Sequence, residues 1–152
     1  MSVVRAKVER DLIRRIQPLA RRLRAAADTA VASLDLSDAT GWALLQVHRS
    51  GPDASQASVA AALEISAPSL VRLLRQLERR GLVRREAHAA DRRPNRVRLT
   101  QEGLVAAELI EARLLPLRAR LFAGFSDDAL KSAERLLASV DERLRIDVVE
   151  PS

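Results

Sequence analysis

Between Ser66 and Gly81, leucines recur at 70, 73, 74 and 77 while arginines stand at 72, 75 and 79. Recurrence at i, i+3, i+4 and i+7 is the period of an α-helix with one apolar stripe. Ser66 is a good N-cap and Gly81 a good stop. The segment therefore predicts a helix with two unlike sides. On a helical wheel Pro68, Arg72, Arg75 and Arg79 point away from the leucines, flanked by Ser69 and Gln76. One side must be glued to a core, and the other is free to enter a groove.

What stands before and after this helix narrows the architecture. A short helix is predicted after Ser55, carrying Val59, Ala62 and Leu63. Beyond Gly81 the period changes: Leu82 and Val83 lead into charged residues, and Val97 and Leu99 alternate with Arg96 and Arg98. The polar stretch from His88 to Asn95 lies between. This pattern predicts a two-stranded hairpin with a long basic tip, which needs neighbouring helices to pack on because an isolated hairpin is marginal in water. Two short helices, a tight turn and a hairpin follow the order of a winged helix-turn-helix.

An α-helix fits the major groove of B-DNA with its N-terminal half nearest the base edges. That nominates Pro68, Ser69, Arg72 and Gln76 for bases, and Arg75 and Arg79 for phosphates. Ser55 and Gln56, at the entry of the preceding helix, are expected to touch phosphate. In the wing the candidates are Asp91, Arg92, Arg93, Asn95 and Arg96, the cations suiting an adjacent minor groove. Asp91 is expected to orient an arginine through a charge-assisted bond rather than to face DNA.

The flanking segments also read as helices. Val8, Leu12, Ile16, Leu19 and Leu23 mark one from about 4 to 34, which Pro18 should bend. A second follows Ser37 through Trp42, Leu45 and Val47 to Gly51 and Pro52. Thr100 caps a fifth, running to about 123 with Leu104, Leu114, Leu117 and Leu121 and a kink at Pro116. Ser126, Asp127 and Asp128 open a sixth, striped by Leu130, Leu137, Val140 and Leu144. With 47% apolar but only 2% aromatic residues, the core must be built from aliphatic side chains at helical spacing. The fold class expected is mainly α with a small β wing. At 152 residues one domain is the default.

Composition removes several function classes. The absence of Cys excludes disulfides, thiolate metal sites and thiol chemistry. His48 and His88 are the sole histidines, and no nucleophile-base pair, glycine-rich phosphate loop or metal-ligand spacing is present, so neither an enzyme nor a metal or other cofactor is expected. The N-terminal stretch carries Arg5, Lys7, Glu9, Arg10 and Asp11 without an apolar run, which predicts a cytoplasmic protein. Residues 66 to 103 hold ten arginines against Glu78, Glu86, Asp91 and Glu102, an excess of six that equals the net charge of the whole chain. Such concentration is the footprint of a polyanion binder.

Four motifs in order then resemble one family closely. Pro68-Ser69-Leu70-Val71-Arg72, Leu77-Glu78-Arg79-Arg80-Gly81-Leu82-Val83, Asp91-Arg92-Arg93 and Val97-Arg98-Leu99-Thr100-Gln101-Glu102-Gly103 are similar to the recognition helix, wing and following helix start of MarR-family regulators. The first of them, with Ser55-Gln56, resembles the SlyA-like group. The resemblance implies a winged helix-turn-helix core over 37–103 and dimerisation helices over 4–34 and 101–147 within one 1–152 domain. It implies a homodimer on a pseudo-palindromic duplex operator, and a small aromatic or phenolic effector in a cleft that Trp42 and His48 could line. The chain departs from the family at Glu64, where a glycine is usual before the recognition helix; a turn with positive φ there costs on the order of 1 kcal/mol. The competing reading is a winged-helix module binding protein or RNA without operator specificity.

Overall fold

A computed structural model describes residues 2–32, 36, 38–52, 54–86 and 95–149. The chain forms two compact units, residues 1–117 and 118–152. The first contains α1 (Val3–Val31), α2 (Asp38–Ser50), α3 (Gln56–Ala62), α4 (Ala67–Arg79), β1 (Val83–Glu86), β2 (Arg96–Leu99) and most of α5 (Gln101–Leu121). The second contains the end of α5 and α6 (Asp127–Val149). The fold is mainly helical with one two-stranded antiparallel sheet, as the periodicity predicts.

Local chemistry sets the boundaries of the short helices. Ser55 Oγ accepts from Ser58 N–H at 3.0 Å and starts α3. Ser66 Oγ accepts from Ser69 N–H at 3.3 Å and starts α4, with Pro68 in the first turn where no intrahelical donor is lost. Both helices end in the same way. At the end of α3, Ile65 N–H reaches back to Ala60 C=O, and at the end of α4, Leu82 N–H reaches back to Leu77 C=O. Such six-to-one bonds place the penultimate residue in the left-handed region. Gly81 occupies it at φ 69°, and Glu64 occupies it at φ 55°. The glutamate thus holds a conformation that glycine adopts without cost.

The core of the first unit is aliphatic throughout. Leu44 and Leu45 of α2, Val59 of α3, Leu74 and Leu77 of α4 and Val97 of β2 are each 0% exposed. Ala107, Ile110, Leu114 and Leu117 of α5 complete it. The stripe read from the leucines of α4 is the buried one, except that Leu73 is only partly covered. Trp42 is half-buried and outside this interior, and Leu121 is exposed. Helices α1 and α5 continue through Pro18 and Pro116, each of which removes one helical donor. Ser37, expected to cap α2, lies outside the described residues.

Where α5 begins, the chain folds back on the end of α4. Thr100 Oγ1 donates to Gly81 C=O and accepts from Gly103 N–H, while Thr100 N–H bonds to Leu82 C=O at 3.1 Å. A Cβ on Gly103 would stand 1.8 Å from Leu82 O, so only glycine permits this approach. In the second unit Ser126 Oγ accepts from Ala129 N–H at 3.2 Å, and Asp127 and Asp128 occupy the first turn of α6. Among the described residues no single helix is long and apolar enough to cross a membrane.

Candidate nucleic-acid interface

Helices α3 and α4 meet at 107° across the Glu64 turn, within the range of a helix-turn-helix. Burial of Leu70, Leu74 and Leu77 fixes the rotation of α4 about its own axis. The opposite side then faces solvent: Pro68, Arg72, Arg75 and Arg79 are exposed, with Ser69 and Gln76 half-buried at its edges. Among the described residues the ion pairs do not involve Arg72 or Arg79. Ser69 has a local role as well, since its Oγ accepts from Ser66 Oγ at 2.9 Å in the cap.

The hairpin joins this surface through α3. β1 and β2 pair in the register Val83 to Leu99, Arg84 to Arg98, Arg85 to Val97 and Glu86 to Arg96. A third short segment runs beside β2: Val97 N–H bonds to Ala54 C=O and Gln56 N–H to Asn95 C=O, both at 2.9 Å, and Ser55 bridges Arg96. The candidates Ser55, Gln56, Asn95 and Arg96 are thereby brought together at the root of the wing, on the side of α3's first turn. Of the other wing candidates, Asp91, Arg92 and Arg93 lie outside the described residues.

The arginine cluster seen in sequence divides into two populations. Arg72, Arg75 and Arg79 of α4 face outward, whereas Arg84, Arg85 and Arg98 of the hairpin meet carboxylates. Arg85 contacts Glu78 of α4 through Nη2 at 2.7 Å and Nε at 2.8 Å, and its backbone N–H donates to the same carboxylate at 3.2 Å. The hydrogen bond from Arg85 holds the Glu78 carboxyl below its usual range, and Glu78 in turn raises the Arg85 guanidinium. Glu86 lies between Arg98, at 3.1 Å, and Arg84, at 3.8 Å. Those two arginines face each other across the strands, where like charges repel. Sequence reading missed the Glu78–Arg85 and Glu86–Arg98 pairs because seven and twelve residues separate the partners, which lie on different elements.

Trp42 and His48 share α2 but have different surroundings. Trp42 Nε1–H donates to Asp28 Oδ1 at 2.6 Å, and the Arg24 guanidinium stacks 4.2 Å from the ring centre, so the indole ties α2 to α1. His48 lines a cavity of about 310 Å³ with Val47, Gly51, Pro52, Arg84, Arg98 and Leu99. Trp42 is not among the residues lining that cavity. The cavity therefore combines an apolar floor with two guanidinium groups and an imidazole, a wall suited to a small organic anion.

Comparison with known proteins agrees with this geometry. Residues 34–94 match the family model described as MarR family. The crystal structure of transcriptional regulator PA3341 is 31% identical and superposes with a TM-score of 0.77, over 86% of this chain and 95% of that one. CouR from Rhodococcus jostii RHA1, solved bound to p-coumaroyl-CoA, is 25% identical, with a TM-score of 0.71 over 82% of this chain and 87% of its own. A MarR-family transcriptional regulator from Listeria monocytogenes, complexed with 26mer DNA, shares the fold at 20% identity, with a TM-score of 0.76 over 89% of both chains.

Proposed function

This chain belongs to the MarR family, and from that premise we propose that it is a sequence-specific regulator of transcription, binding a pseudo-palindromic duplex operator as a homodimer in the cytoplasm. The observation that carries the reading is the two-sidedness of α4. Leu70, Leu74 and Leu77 are sealed in the core while Arg72, Arg75 and Arg79 project together, on a helix set at 107° to its neighbour. In this reading Arg72 reads a base edge, and Arg75 and Arg79 hold phosphates. Ser55 and Gln56 approach phosphate from the start of α3, while Asp91, Arg92, Arg93, Asn95 and Arg96 form the wing's contact. The winged core spans 37–103, with the helices of 4–34 and 101–147 joining two protomers.

A small aromatic or phenolic anion is the proposed effector; the cavity beside His48, Arg84 and Arg98 supports it, and the acyl group of the CoA thioester bound to CouR is phenolic. Because both arginines belong to the hairpin, an anion there would compete with Glu86 for them and bias the wing. No catalytic step is part of this function.

The test is selection of duplex fragments bound by the purified protein, followed by competition against scrambled duplex, RNA and single-stranded DNA. Arg72→Ala is expected to lose about 1 to 3 kcal/mol of discrimination between operator and scrambled duplex while remaining folded. Arg92→Ala and Arg93→Ala should each lower the slope of log affinity against log salt by about 0.9. Equal affinity of the wild type for the selected duplex and all three competitors would refute operator recognition.

A further inference from the structure

We propose that Glu78 is a positioning residue: by gripping Arg85 it sets the angle of the hairpin on the recognition helix and withdraws Arg85 from contact with DNA. The inference rests on the duplex-binding reading above, but concerns a pair to which that reading gives no role.

Three contacts converge on one carboxylate. Both the Nη2 and the Nε of Arg85 approach Glu78 Oε2, at 2.7 and 2.8 Å, and the Arg85 backbone N–H reaches Oε1 at 3.2 Å. A guanidinium offers a planar fork that a carboxylate can hold in one orientation, and the added backbone bond fixes the strand itself, not merely the side chain. Glu78 stands in the last turn of α4, and Arg85 is central in β1, opposite Val97. The pair is two-thirds or more covered, at 28% and 30% side-chain exposure. On its other strand the hairpin is already held by the Ala54 to Gln56 segment. The grip of Glu78 on β1 supplies the second anchor that a two-stranded ribbon needs to keep one tilt.

The alternative is that Arg85 serves DNA directly, like the other arginines of its cluster, and that Glu78 is a bystander. The two assignments predict opposite signs. A carboxylate beside a polyanion site weakens binding electrostatically, so a bystander's removal strengthens it. A positioning carboxylate, once removed, weakens binding even though the protein becomes more positive.

Operator affinity, its salt dependence and thermal stability should be measured for Glu78→Gln, Arg85→Lys and the double variant. Glu78→Gln should lower affinity on the order of tenfold, and Arg85→Lys should match it, because an ammonium keeps the charge but cannot fork. The double variant should be no worse than either single, since both remove one contact. Melting temperatures should move little, as partly exposed ion pairs contribute little to stability. Wild-type or tighter binding by Glu78→Gln, or unchanged binding by Arg85→Lys, would overturn the assignment. Amide exchange on the free protein tests it without DNA. In Glu78→Gln, protection of the Arg85 amide should fall by about tenfold or more. Unchanged protection refutes the grip whether or not the protein binds duplex, whereas lost protection in a protein that ignores duplex would locate the failure in the functional reading.

Discussion

Helices α4 and α6 are both amphipathic and both striped with aliphatic residues, yet only α4 closes its stripe within the chain. Leu70, Leu74 and Leu77 are at most 1% exposed, whereas Leu137 and Leu144 of α6 are 55% and 59% exposed. Helix α1 resembles α6: Val8, Leu12, Ile16 and Leu19 are all more than two-fifths exposed, and Ala27 is its one buried residue. The stripe of α4 meets α2 and α3, and the turn beyond it is stapled to α5 by Thr100 and Gly103. Rows of apolar side chains left open on two long helices are the kind of surface that a partner covers, and in the homodimer proposed above a second copy of the chain, related by a two-fold axis, would supply identical rows. The contrast therefore separates a lobe whose apolar stripe closes within one chain from helices whose apolar rows do not.

The largest effects should fall on opposite observables. Leu74→Ala removes a fully buried side chain and should cost about 2 to 5 kcal/mol of unfolding free energy. Leu137→Asp combined with Leu144→Asp buries no charge in the protomer; it should shift sedimentation from dimer to monomer with the helical circular dichroism largely kept. If the α6 variant instead unfolded the protomer and left association intact, the division between the two helices would be broken.

A smaller change sharpens the same contrast from within the lobe of α4. Glu64 stands at φ 55° in the turn that aims α4, and Glu64→Gly relieves that strain. Stability should rise by up to about 1 kcal/mol, since glycine adopts positive φ without the Cβ clash. Equilibrium denaturation measures it; a loss of stability would mean that the unfolded chain's added freedom outweighs the strain.

The smallest effect is a dependence on pH. Arg85 holds the Glu78 carboxyl below its ordinary range, so the folded state binds that proton less readily than the unfolded chain. The contribution is complete above the unfolded carboxylate value of about 4.3 and is lost as pH falls through the lower folded value. Wild type and Glu78→Gln should differ by about 1 kcal/mol or less at neutral pH and converge in acid. A difference that grew on acidification would contradict the ion pair.

Much of the winged core was legible from residue order. Ser55, Ser66, Gly81 and Thr100 are caps and stops whose partners lie within a few residues, and the leucines of α4 name their own face through a period of local origin. The sequence marks Glu64 as standing where the resembling family usually has glycine, but only the backbone shows that its φ is positive. The division of the arginine cluster was not legible. Charge counting treats Arg72 and Arg85 alike, because their difference arises when β1 returns beside the last turn of α4. For the same reason Trp42 and His48, six residues apart on one helix, could not be told apart in sequence. The former is held by Asp28 and Arg24 of α1, and the latter borders a cavity made by strands from far along the chain.

The order of amino acids alone determined where helices begin and end, which face of each is apolar, and that cationic charge gathers in one quarter of the chain. Those properties depend on neighbours a turn or two away. Tertiary structure decided which apolar faces are buried within the chain and, among the described residues, which guanidinium groups are committed to carboxylates and which face solvent. Hydrogen-bond and ion-pair geometry acts over a few ångströms in space, and the chain brings those atoms together only once it has folded.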